Sequence, residues 1–467
     1  MKAPSRLFYY RIRNKIMDSF FNPSSVAIIG ASRDPNKVGH VILRNLLDSG
    51  WKGKIFPVNP NAEEILNNKV YASVKDIPEP VDLAIVAVPA EIVLKVVQEC
   101  GKKKIRNAIV ISSGFAEIGE HKLEEKLVQL VKKLKIRMIG PNCLGTFDGF
   151  SSFDSLFLPR YRLKRPREGG ISFICQSGAI GSAILDLATT QGFGFSKFAS
   201  YGNAADIDES DLLEYVGNDP NTQVVCIYIE GVKDGRKFLE VARKVSKKKP
   251  IIAIKGGVTE QGNKAVMSHT GALAGSAEIY AGVFKQAGII QAASLEEMFD
   301  FAKIFEKSMA PKGQRVQVIT NGGGYGILST DAIVKNDLKL AELSKETSSN
   351  LRKVFPERVI VKNPMDLIGD ATTERYKLAM DACMADDNAD VLLVVILYQT
   401  PLVTTDVVDV IIEAKRMQKK PIVVVSTGGE FTEVLRKNLE DNGIPTYTYP
   451  ESAVKSIKAL ADYYKVR

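Results

Sequence analysis

The chain has 467 residues, of which 45% are hydrophobic and 25% charged, and it carries a formal net charge of +9. This length predicts more than one domain, because hydrophobic cores stop growing at about 250–300 residues. Every long apolar run ends before the roughly 20 residues that span a bilayer, so we expect no membrane segment. The basic residues are spread along the chain without a nucleic-acid-binding module, so we expect small anionic ligands such as phosphates and coenzymes, and no nucleic acid.

The cysteines indicate the cellular compartment. The chain has five of them, an odd number, with neither a CxxC pair nor zinc-ligand spacing. This pattern fits a reducing cytoplasm and predicts no metal site. The basic stretch at residues 1–17 lacks the apolar core of a signal peptide, and we predict that it is an N-terminal extension ahead of the first domain.

Apolar strands alternate with helical segments from residue 18 to residue 150. Strands are predicted at 26–29, 55–58, 83–88, 108–111 and 137–139, and helices at 37–47, 91–103 and 120–135. Such alternation is typical of parallel βαβ units, because a helix carries the chain back to the start of the next strand. We therefore predict a Rossmann-like doubly wound sheet for this first domain.

Two further series of the same kind follow. The second domain, residues 151–310, has predicted strands at 171–175, 224–230, 251–255 and 289–291. The third, residues 311–467, has predicted strands at 316–320, 391–397 and 422–426 and a closing helix at 451–464. The predicted fold class is therefore α/β in three consecutive domains, a Rossmann-like domain followed by two flavodoxin-like domains.

The first strand ends in a turn that suits a phosphate. Gly30, Ser32 and Lys37 lie on this turn, where backbone N–H groups and the start of the next helix favour an anion. The GxGxxG pattern of NAD-binding domains is missing, and the second strand ends at Asn59, where an NAD site would place an acidic residue. An NAD-dependent dehydrogenase is therefore disfavoured, while a purely structural turn explains the motif as well as coenzyme binding does.

Three more strand ends of the first domain carry small or hydroxyl side chains. Pro89, Ser113, Asn142 and Cys143 lie there, at the carboxyl edge where ligands of such sheets bind. Small residues also make tight turns, so each position is a weak signal when taken alone. With the first turn they form the candidate coenzyme-binding set.

The second domain contains a stretch organised around a histidine. Residues 256–276 are predicted to form a glycine-rich loop after a strand, with the next helix beginning near Ser276, and His269 lies within this loop. Imidazole is a nucleophile toward phosphoryl groups. Glu230 closes an apolar strand, from which its carboxylate would orient one imidazole nitrogen. The alternatives are a solvent-facing histidine and a carboxylate that only ends a strand.

Two other helix starts are candidate phosphate sites. One lies in the second domain and the other in the third, and both place small residues where backbone N–H groups are open to an anion. Three consecutive glycines at the third-domain helix cost stability that alanine would not, which favours a functional reason over simple flexibility. The candidate residues are Ser177, Gly178, Asn321, Gly322, Gly323 and Gly324.

Four ordered stretches carry a family resemblance. They are residues 21–32, 138–145, 176–179 and, above all, 268–276, which reads Ser-His-Thr-Gly-Ala-Leu-Ala-Gly-Ser. On these stretches the chain resembles the α subunit of the NDP-forming acyl-CoA synthetases, in particular the archaeal-type ADP-forming acetyl-CoA synthetases, which are relatives of succinyl-CoA synthetase. The resemblance extends from about residue 18 to the C-terminus.

This resemblance implies a ligase that converts acyl-CoA, ADP and phosphate into a carboxylic acid, ATP and CoA. Coenzyme A would bind the first domain, with Asn142 and Cys143 near its thiol end. Phosphate would attack the thioester beside Ser177 and Gly178, and the resulting acyl phosphate would phosphorylate His269. The family pattern also implies that Glu230 orients this histidine, and that the turn at residues 321–324 receives the phosphohistidine or its phosphate.

The resemblance also implies a partner chain. The sequence contains no stretch patterned as an ATP-grasp domain, so we expect an ATP-grasp β subunit that binds ADP, ATP and Mg²⁺, in an α₂β₂ heterotetramer. The alternative function is a non-catalytic CoA-binding regulatory protein of the same fold. The complete motif around His269 argues against that alternative, because a sensor needs only the first domain.

Overall fold

The chain folds into two compact units, one ending at Gln291 and the other beginning at Ala292. The computed structural model describes residues 16–270 and 276–465, and only the backbone at residues 265 and 267–270. The predicted extension at 1–17 lies outside the described residues except for its last two, of which Met17 is buried in the core of the first unit. None of the helices in the described ranges has the length and apolar character needed to cross a bilayer.

The first sheet has five parallel strands in the order β2-β1-β5-β6-β7. Its strands are short and apolar, and β5 is buried at every position, as expected for a parallel sheet covered on both faces. Its strands and the hairpin β3–β4 are β1 (Ser25–Ile29), β2 (Lys54–Val58), β3 (Glu64–Ile65), β4 (Asn68–Lys69), β5 (Leu83–Val86), β6 (Asn107–Val110) and β7 (Arg137–Ile139). Its helices are α1 (Val38–Asp48), α2 (Ala90–Lys102) and α3 (His121–Leu134).

The second sheet, also in the first unit, has six strands in the order β13-β12-β11-β9-β10-β8. All neighbours are parallel except β8, which runs antiparallel to β10. The strands are β8 (Gly145–Asp148), β9 (Arg167–Cys175), β10 (Gly194–Ser200), β11 (Val224–Ile229), β12 (Ile251–Lys255) and β13 (Ile290–Gln291). The helices are α4 (Gly178–Thr190), α5 (Glu209–Asn218), α6 (Gly235–Ser246), α7 (Glu260–Thr270) and α8 (Ala277–Ala287).

Helix α7 occupies part of the stretch that was predicted to be a loop. The loop prediction is wrong for residues 260–270, which are helical. The Glu260 carboxylate pairs with the Lys264 ammonium one turn later at 2.7 Å, and the residues between and after them include good helix formers. The prediction gave too much weight to the glycines. Residues 271–275, the rest of the predicted loop, lie outside the described residues.

The second unit contains one sheet in the order β15-β14-β17-β18-β19, with β16 paired to β14. Every pair is parallel. The strands are β14 (Arg315–Thr320), β15 (Lys339–Leu340), β16 (Met365–Asp366), β17 (Val391–Val395), β18 (Ile422–Val425) and β19 (Thr446–Tyr447). The helices are α9 (Leu295–Lys307), α10 (Gly323–Lys335), α11 (Lys345–Val354), α12 (Thr373–Ala385), α13 (Val407–Arg416), α14 (Glu430–Asp441) and α15 (Pro450–Lys465).

Three sheets in succession confirm the predicted α/β fold class. The domain boundaries at residues 150 and 310 stay predictions. Near the first of them, β8 follows the strands of the first sheet in the chain but pairs within the second sheet. Near the other, α9 clusters with the second unit.

Candidate functional site

The first unit contains a cavity of about 1160 Å³. Loops that follow strands of both sheets form its wall, so the carboxyl edges of the two sheets face the same space. Every site residue that was predicted in this unit lines it, apart from His269, whose side chain lies outside the described residues. The predicted residues in the wall are Gly30, Ser32, Lys37, Asn59, Pro89, Ser113, Asn142, Cys143, Ser177, Gly178 and Glu230.

The turn between β1 and α1 is closely packed. Gly30 has a φ of +96°, and a Cβ added there would lie 2.2 Å from the carbonyl oxygen of Ala87. A Cβ on Gly39 would lie 2.0 Å from the carbonyl oxygen of Gly30. Helix α1 begins after Lys37, which makes no side-chain capping hydrogen bond. The turn therefore holds an uncapped helix N-terminus against the cavity, an arrangement that suits an anion.

Two polar side chains of this region shape the turn itself. The Oγ of Ser32 accepts a hydrogen bond from the N–H of Asp34 at 3.1 Å. Asn59 donates from Nδ2 to the carbonyl oxygen of Ala31 at 2.7 Å, and its Oδ1 accepts from the N–H of Asn61 at 2.8 Å. Both residues thus fix the local backbone, and direct contact with a ligand stays a prediction for them.

Asn142 and Cys143 both line the cavity, the first with a hydrogen-bonded amide and the second with a buried thiol. Asn142 has a φ of +58° and donates from Nδ2 to the Oδ1 of Asn203 at 3.3 Å. The Sγ of Cys143 lies 3.4 Å from the carbonyl oxygen of Val110, and burial raises the pKa of this thiol to about 12. Cys143 is therefore a neutral thiol at physiological pH and is unsuited to act as a nucleophile.

A network that was not predicted connects the two sheets across the cavity wall. The Nδ2 of Asn203 donates to the Oε2 atoms of Glu117 and Glu124 at 2.6 and 2.8 Å. Burial alone would raise the pKa of Glu117, but hydrogen bonds from Asn203 and from the backbone of Gly114 outweigh it, and the pKa is lowered. Glu117 is therefore an ionised carboxylate that anchors the second-sheet loop at Asn203. Sequence alone gave no signal for this pairing, because its members are about 80 residues apart.

The second-sheet side of the cavity carries the other predicted anion loop. Ser177 caps α4, its Oγ accepting from the N–H of Ile180 at 3.4 Å. The Oε1 of Gln176 accepts from the N–H groups of Glu230 and Gly231 at 2.7 and 3.1 Å. Gln176 belongs to the predicted motif at 176–179 but was not selected. It holds the start of α4 beside the end of β11, and so brings Ser177 and Glu230 to one place.

Glu230 is buried, with 6% of its surface exposed. Burial raises the pKa of Tyr228, and the Glu230 charge and a hydrogen bond between the two side chains raise it further. The same carboxylate acts on Lys255, although burial is the stronger influence there and lowers the pKa of that lysine. The backbone of His269 lies in α7, and its predicted contact with Glu230 falls outside the described side chains.

Glu209, which the sequence analysis did not select, also lines the cavity. It is the first residue of α5 and is 1% exposed, and its buried Oε1 has no hydrogen-bond partner in the part of the chain that the structure describes. Burial, with a further contribution from the Asp208 charge, raises the pKa of Glu209 to about 7. The run Asp-Glu-Ser-Asp was the available signal, because Asp208 is a typical N-cap that marks a helix start.

The third-domain candidates lie in the second unit, at the start of α10. Asn321 is buried and holds a neighbouring loop, donating from Nδ2 to the carbonyl oxygen of Leu397 and to the Oγ1 of Thr400 at 3.1 and 3.0 Å. Gly322 is the N-cap residue and makes no side-chain cap. Around Gly324, no atom of the residues that the structure describes lies within 4 Å of an added Cβ. An added Cβ at Gly322 would instead meet the Leu397 side chain. One at Gly323 would lie 2.9 Å from the Oδ2 of Asp366, so the helix start is open to an anion only at Gly324.

Three family profiles match the chain in the order of its sheets. A CoA binding domain matches residues 24–147, a succinyl-CoA ligase like flavodoxin domain matches residues 168–305, and a ligase-CoA domain matches residues 316–466. Together these ranges cover most of the chain.

Whole-chain comparisons agree with these profiles. The chain is 41% identical to the II subunit alpha of the ADP-forming acetate–CoA ligase of Pyrococcus furiosus, covering 96% of this chain and 98% of that subunit. It is 44% identical to the ADP-forming acetate–CoA ligase of Methanocaldococcus jannaschii, of which it spans 62%. The structure of the Ca. Korarchaeum cryptofilum acetyl-coenzyme A synthetase 1, in complex with phosphate and ADP, superimposes with a TM-score of 0.91 at 39% identity, covering 96% of this chain and 97% of that chain. The resemblance seen in the sequence is confirmed, and the chain belongs to the family of ADP-forming acetate–CoA ligase α subunits.

Proposed function

We propose that this chain is the α subunit of an ADP-forming acyl-CoA ligase that converts acyl-CoA, ADP and phosphate into a carboxylic acid, ATP and CoA. The observation that carries the proposal is the single cavity that joins the first-domain turns to Ser177 and Glu230. A regulatory CoA sensor has no need for the second-sheet loops in that wall. Acetate is the first acyl group to test, because relatives that match over nearly their whole length carry that name.

The cavity has one region suited to each part of an acyl-CoA. The uncapped start of α1 and the Lys37 ammonium favour the phosphates of CoA, because both present positive charge to the same turn. Asn142 and Cys143 lie toward the second sheet, where the thioester would meet phosphate at Ser177 and Gly178. A neutral thiol at Cys143 fits this placement, because it adds no competing nucleophile beside the thioester.

Phosphoryl transfer would then pass from the acyl phosphate to His269. Phosphate attacks the thioester carbon, CoA leaves as the thiol, and an imidazole nitrogen takes the phosphoryl group while the carboxylate product departs. Glu230 ends a buried strand beside the start of α4, where its carboxylate would hold the other imidazole nitrogen. Dividing the reaction this way keeps each transfer close to energetic balance, since a thioester, an acyl phosphate and a phosphohistidine all have high transfer potential.

ATP formation requires a nucleotide site, which we propose lies on an ATP-grasp β subunit in an α₂β₂ assembly. Two related proteins from Pyrococcus furiosus, each matched over 98% of its length, are named as subunit alpha. That name supports the proposal that a second kind of chain completes the enzyme. The Mg²⁺ and ADP would bind that partner. In the second unit, the start of α10, which is open at Gly324, would receive the phosphorylated histidine or its phosphate.

The test is to incubate the purified chain with acetyl-CoA and radiolabelled phosphate, with and without its β subunit. We expect an acid-labile, base-stable label on the protein, discharged by ADP only when the β subunit is present. His269→Ala should abolish the label and net ATP formation. His121→Ala, which removes the exposed histidine of the cavity wall, should retain the label.

The outcomes separate the two functions considered. Full turnover by the His269→Ala protein would overturn the phosphohistidine mechanism. Tight CoA binding without any label, over a series of acyl-CoA thioesters, would instead support the regulatory alternative.

A further inference from the structure

The cavity wall contains a buried carboxyl oxygen that has no role in the proposed phosphoryl transfer to His269. Glu209 lines the cavity and is 1% exposed, and its Oε1 has no hydrogen-bond partner within the described ranges. Leaving such an atom unpaired is costly, and native proteins do so where a ligand or a reaction completes the site. Its place in the same wall as Ser177 and Glu230 points to the reacting groups of the substrate.

The cations near this carboxyl are committed to other acceptors. The Nζ of Lys237 lies 2.8 Å from the Oδ2 of Asp208 and 2.9 Å from the Oδ1 of Asp211. The Nζ of Lys233 donates to the carbonyl oxygen of Ala204 at 3.0 Å. Both lysines lower the pKa of the carboxyl only in part, and burial together with the Asp208 charge dominates. The group is therefore poised between its two protonation states at neutral pH.

Two phenols on which the Glu209 charge acts make hydrogen bonds around the loop that carries Glu230. The hydroxyl of Tyr201 donates to the Oε1 of Gln176 at 3.4 Å, and that oxygen also accepts from the N–H of Glu230. The hydroxyl of Tyr280 accepts a backbone N–H from the same loop at 3.0 Å. Burial raises the pKa of both phenols, and the Glu209 charge raises each further, so neither competes with Glu209 for protons at neutral pH.

We propose that the Glu209 carboxylate carries the proton that moves from phosphate to the CoA thiol when acyl-CoA is converted into acyl phosphate. This inference rests on the proposed function. In that step an oxygen of HPO₄²⁻ bonds to the thioester carbon, and the carbon–sulfur bond breaks with its electron pair on sulfur. The phosphate proton passes to the Glu209 carboxylate, and from there to the departing thiolate. Glu209 ends the step as it began.

Proton transfer through Glu209 begins from the ionised carboxylate in both directions of the reaction. When CoA attacks an acyl phosphate, the thiol proton passes to the Glu209 carboxylate and then to the departing phosphate. The ionised form is therefore the active one, and the rate falls as the pH is lowered through about 7, the pKa of Glu209. A group with a pKa near the working pH suits this task, because it accepts and releases the proton with equal ease.

The test measures the synthesis of acetyl-CoA from acetyl phosphate and CoA by the full-length chain in a His269→Ala background. The background isolates this half-reaction from phosphorylation of the histidine, and the two reacting groups, the CoA thiol and acetyl phosphate, do not titrate near pH 7. The 3′-phosphate of CoA does titrate close to that range, but it is the same for every variant, so only a fall in kcat at acid pH that Glu209→Gln removes is assigned to Glu209. Three further variants are compared with it: Glu209→Gln, Glu209→Asp, and Glu214→Gln as a control on the same helix but outside the cavity wall.

We expect Glu209→Gln to lower kcat about 100-fold, the lower end for loss of an acid–base group, with an unchanged KM for CoA. The fall in kcat as the pH is lowered through about 7 should be absent from this variant. Glu209→Asp should keep this fall at a reduced kcat, and Glu214→Gln should match the background.

Three results would overturn the inference. The first is a Glu209→Gln protein that keeps both the kcat of the background and its fall at acid pH. The second is a Glu209→Gln protein in which only the KM for CoA changes. If Glu209→Gln does not fold, an unchanged kcat in Glu209→Asp is the third. A background protein with no half-reaction at any pH would overturn the proposed function itself, which distinguishes the two failures.

Discussion

Two helix starts, one in each unit, are rich in glycine for different physical reasons. At the start of α1, the chain closes on itself so tightly that a Cβ on Gly39 would lie 2.0 Å from the carbonyl oxygen of Gly30. At the start of α10, a Cβ on Gly324 would meet no described residue within 4 Å. The first turn needs glycine in order to pack. In the second turn, Gly324 tolerates a side chain sterically, so this glycine keeps the backbone accessible to a ligand.

This contrast shows how to read glycines that look alike in the sequence. In the sequence both turns suit a phosphate and both contain glycine, although a purely structural turn explains the first motif equally well. The structure shows that steric need explains Gly30 and Gly39 without any ligand, whereas Gly324 has no packing reason. The anion assignment of the first turn therefore depends on its uncapped helix and its place in the cavity wall.

Gly39→Ala is expected to have the largest effect on stability. The clashing atom is a backbone carbonyl oxygen 2.0 Å away, which cannot move aside as the end of a flexible side chain can. We expect the free energy of unfolding of the first unit to fall by about 3 kcal/mol, at the upper end for overpacking. Urea denaturation followed by circular dichroism measures it. Gly282→Ala in α8, whose new methyl group would meet none of the described residues within 4 Å, is the matched control. Equal stability of the two variants would contradict the steric account.

Asn321→Ala is expected to have a smaller effect, confined to the second unit. The Asn321 amide donates to the carbonyl oxygen of Leu397 at 3.1 Å and accepts from its N–H at 2.9 Å, so truncation leaves buried backbone groups unpaired. We expect a loss of about 2 kcal/mol. Hydrogen exchange at the amide of Leu397 reports it directly. Unchanged protection of that amide would show that the loop is held by other contacts.

Gly324→Ala should have the smallest effect on stability, and in the opposite direction. The position is exposed within the first turn of α10, where alanine favours the helix over glycine by up to about 1 kcal/mol. The melting temperature should rise slightly while ATP formation with the β subunit falls, because the new methyl group covers backbone donors. A variant that is less stable, or equally stable and fully active, would remove the distinction between the two turns.

The parallel strands were predictable because they are short apolar runs bounded by turns. β5 and β6 are buried at every position, and no other element accounts for such runs at this spacing. The cavity residues followed from the same logic, since the carboxyl ends of parallel strands meet at one edge. The family resemblance, and not this reasoning, implied that Asn142 and Ser177 share a site although they follow strands of different sheets, and both line the cavity.

The missed elements carry polar residues that only long-range contacts satisfy. β10 contains Lys197, a buried ammonium that lies 2.8 Å from an Asp148 oxygen and 3.3 Å from an Asp219 oxygen. A lysine in a strand interior argues against burial until its partners are known. Glu209 was missed for the same reason, because a charged residue at a helix start is ordinarily solvated. Pairings across 20 to 50 residues are outside the reach of local periodicity.

The pairing of β8 with the second sheet limits where two related chains can be recombined. This strand follows the first sheet in the chain, yet its partner is β10 in the second sheet, where Phe147 lies opposite Phe198. The Oγ1 of Thr146 also binds the carbonyl oxygen of Phe20 at 2.6 Å, which ties the segment before β1 to the same strand. A chimera that joined the first domain of one relative to the rest of another at residue 150 would import a foreign edge strand. Recombination is therefore compatible with this architecture only where the junction keeps residues 17–21 and 145–148 together with the second sheet.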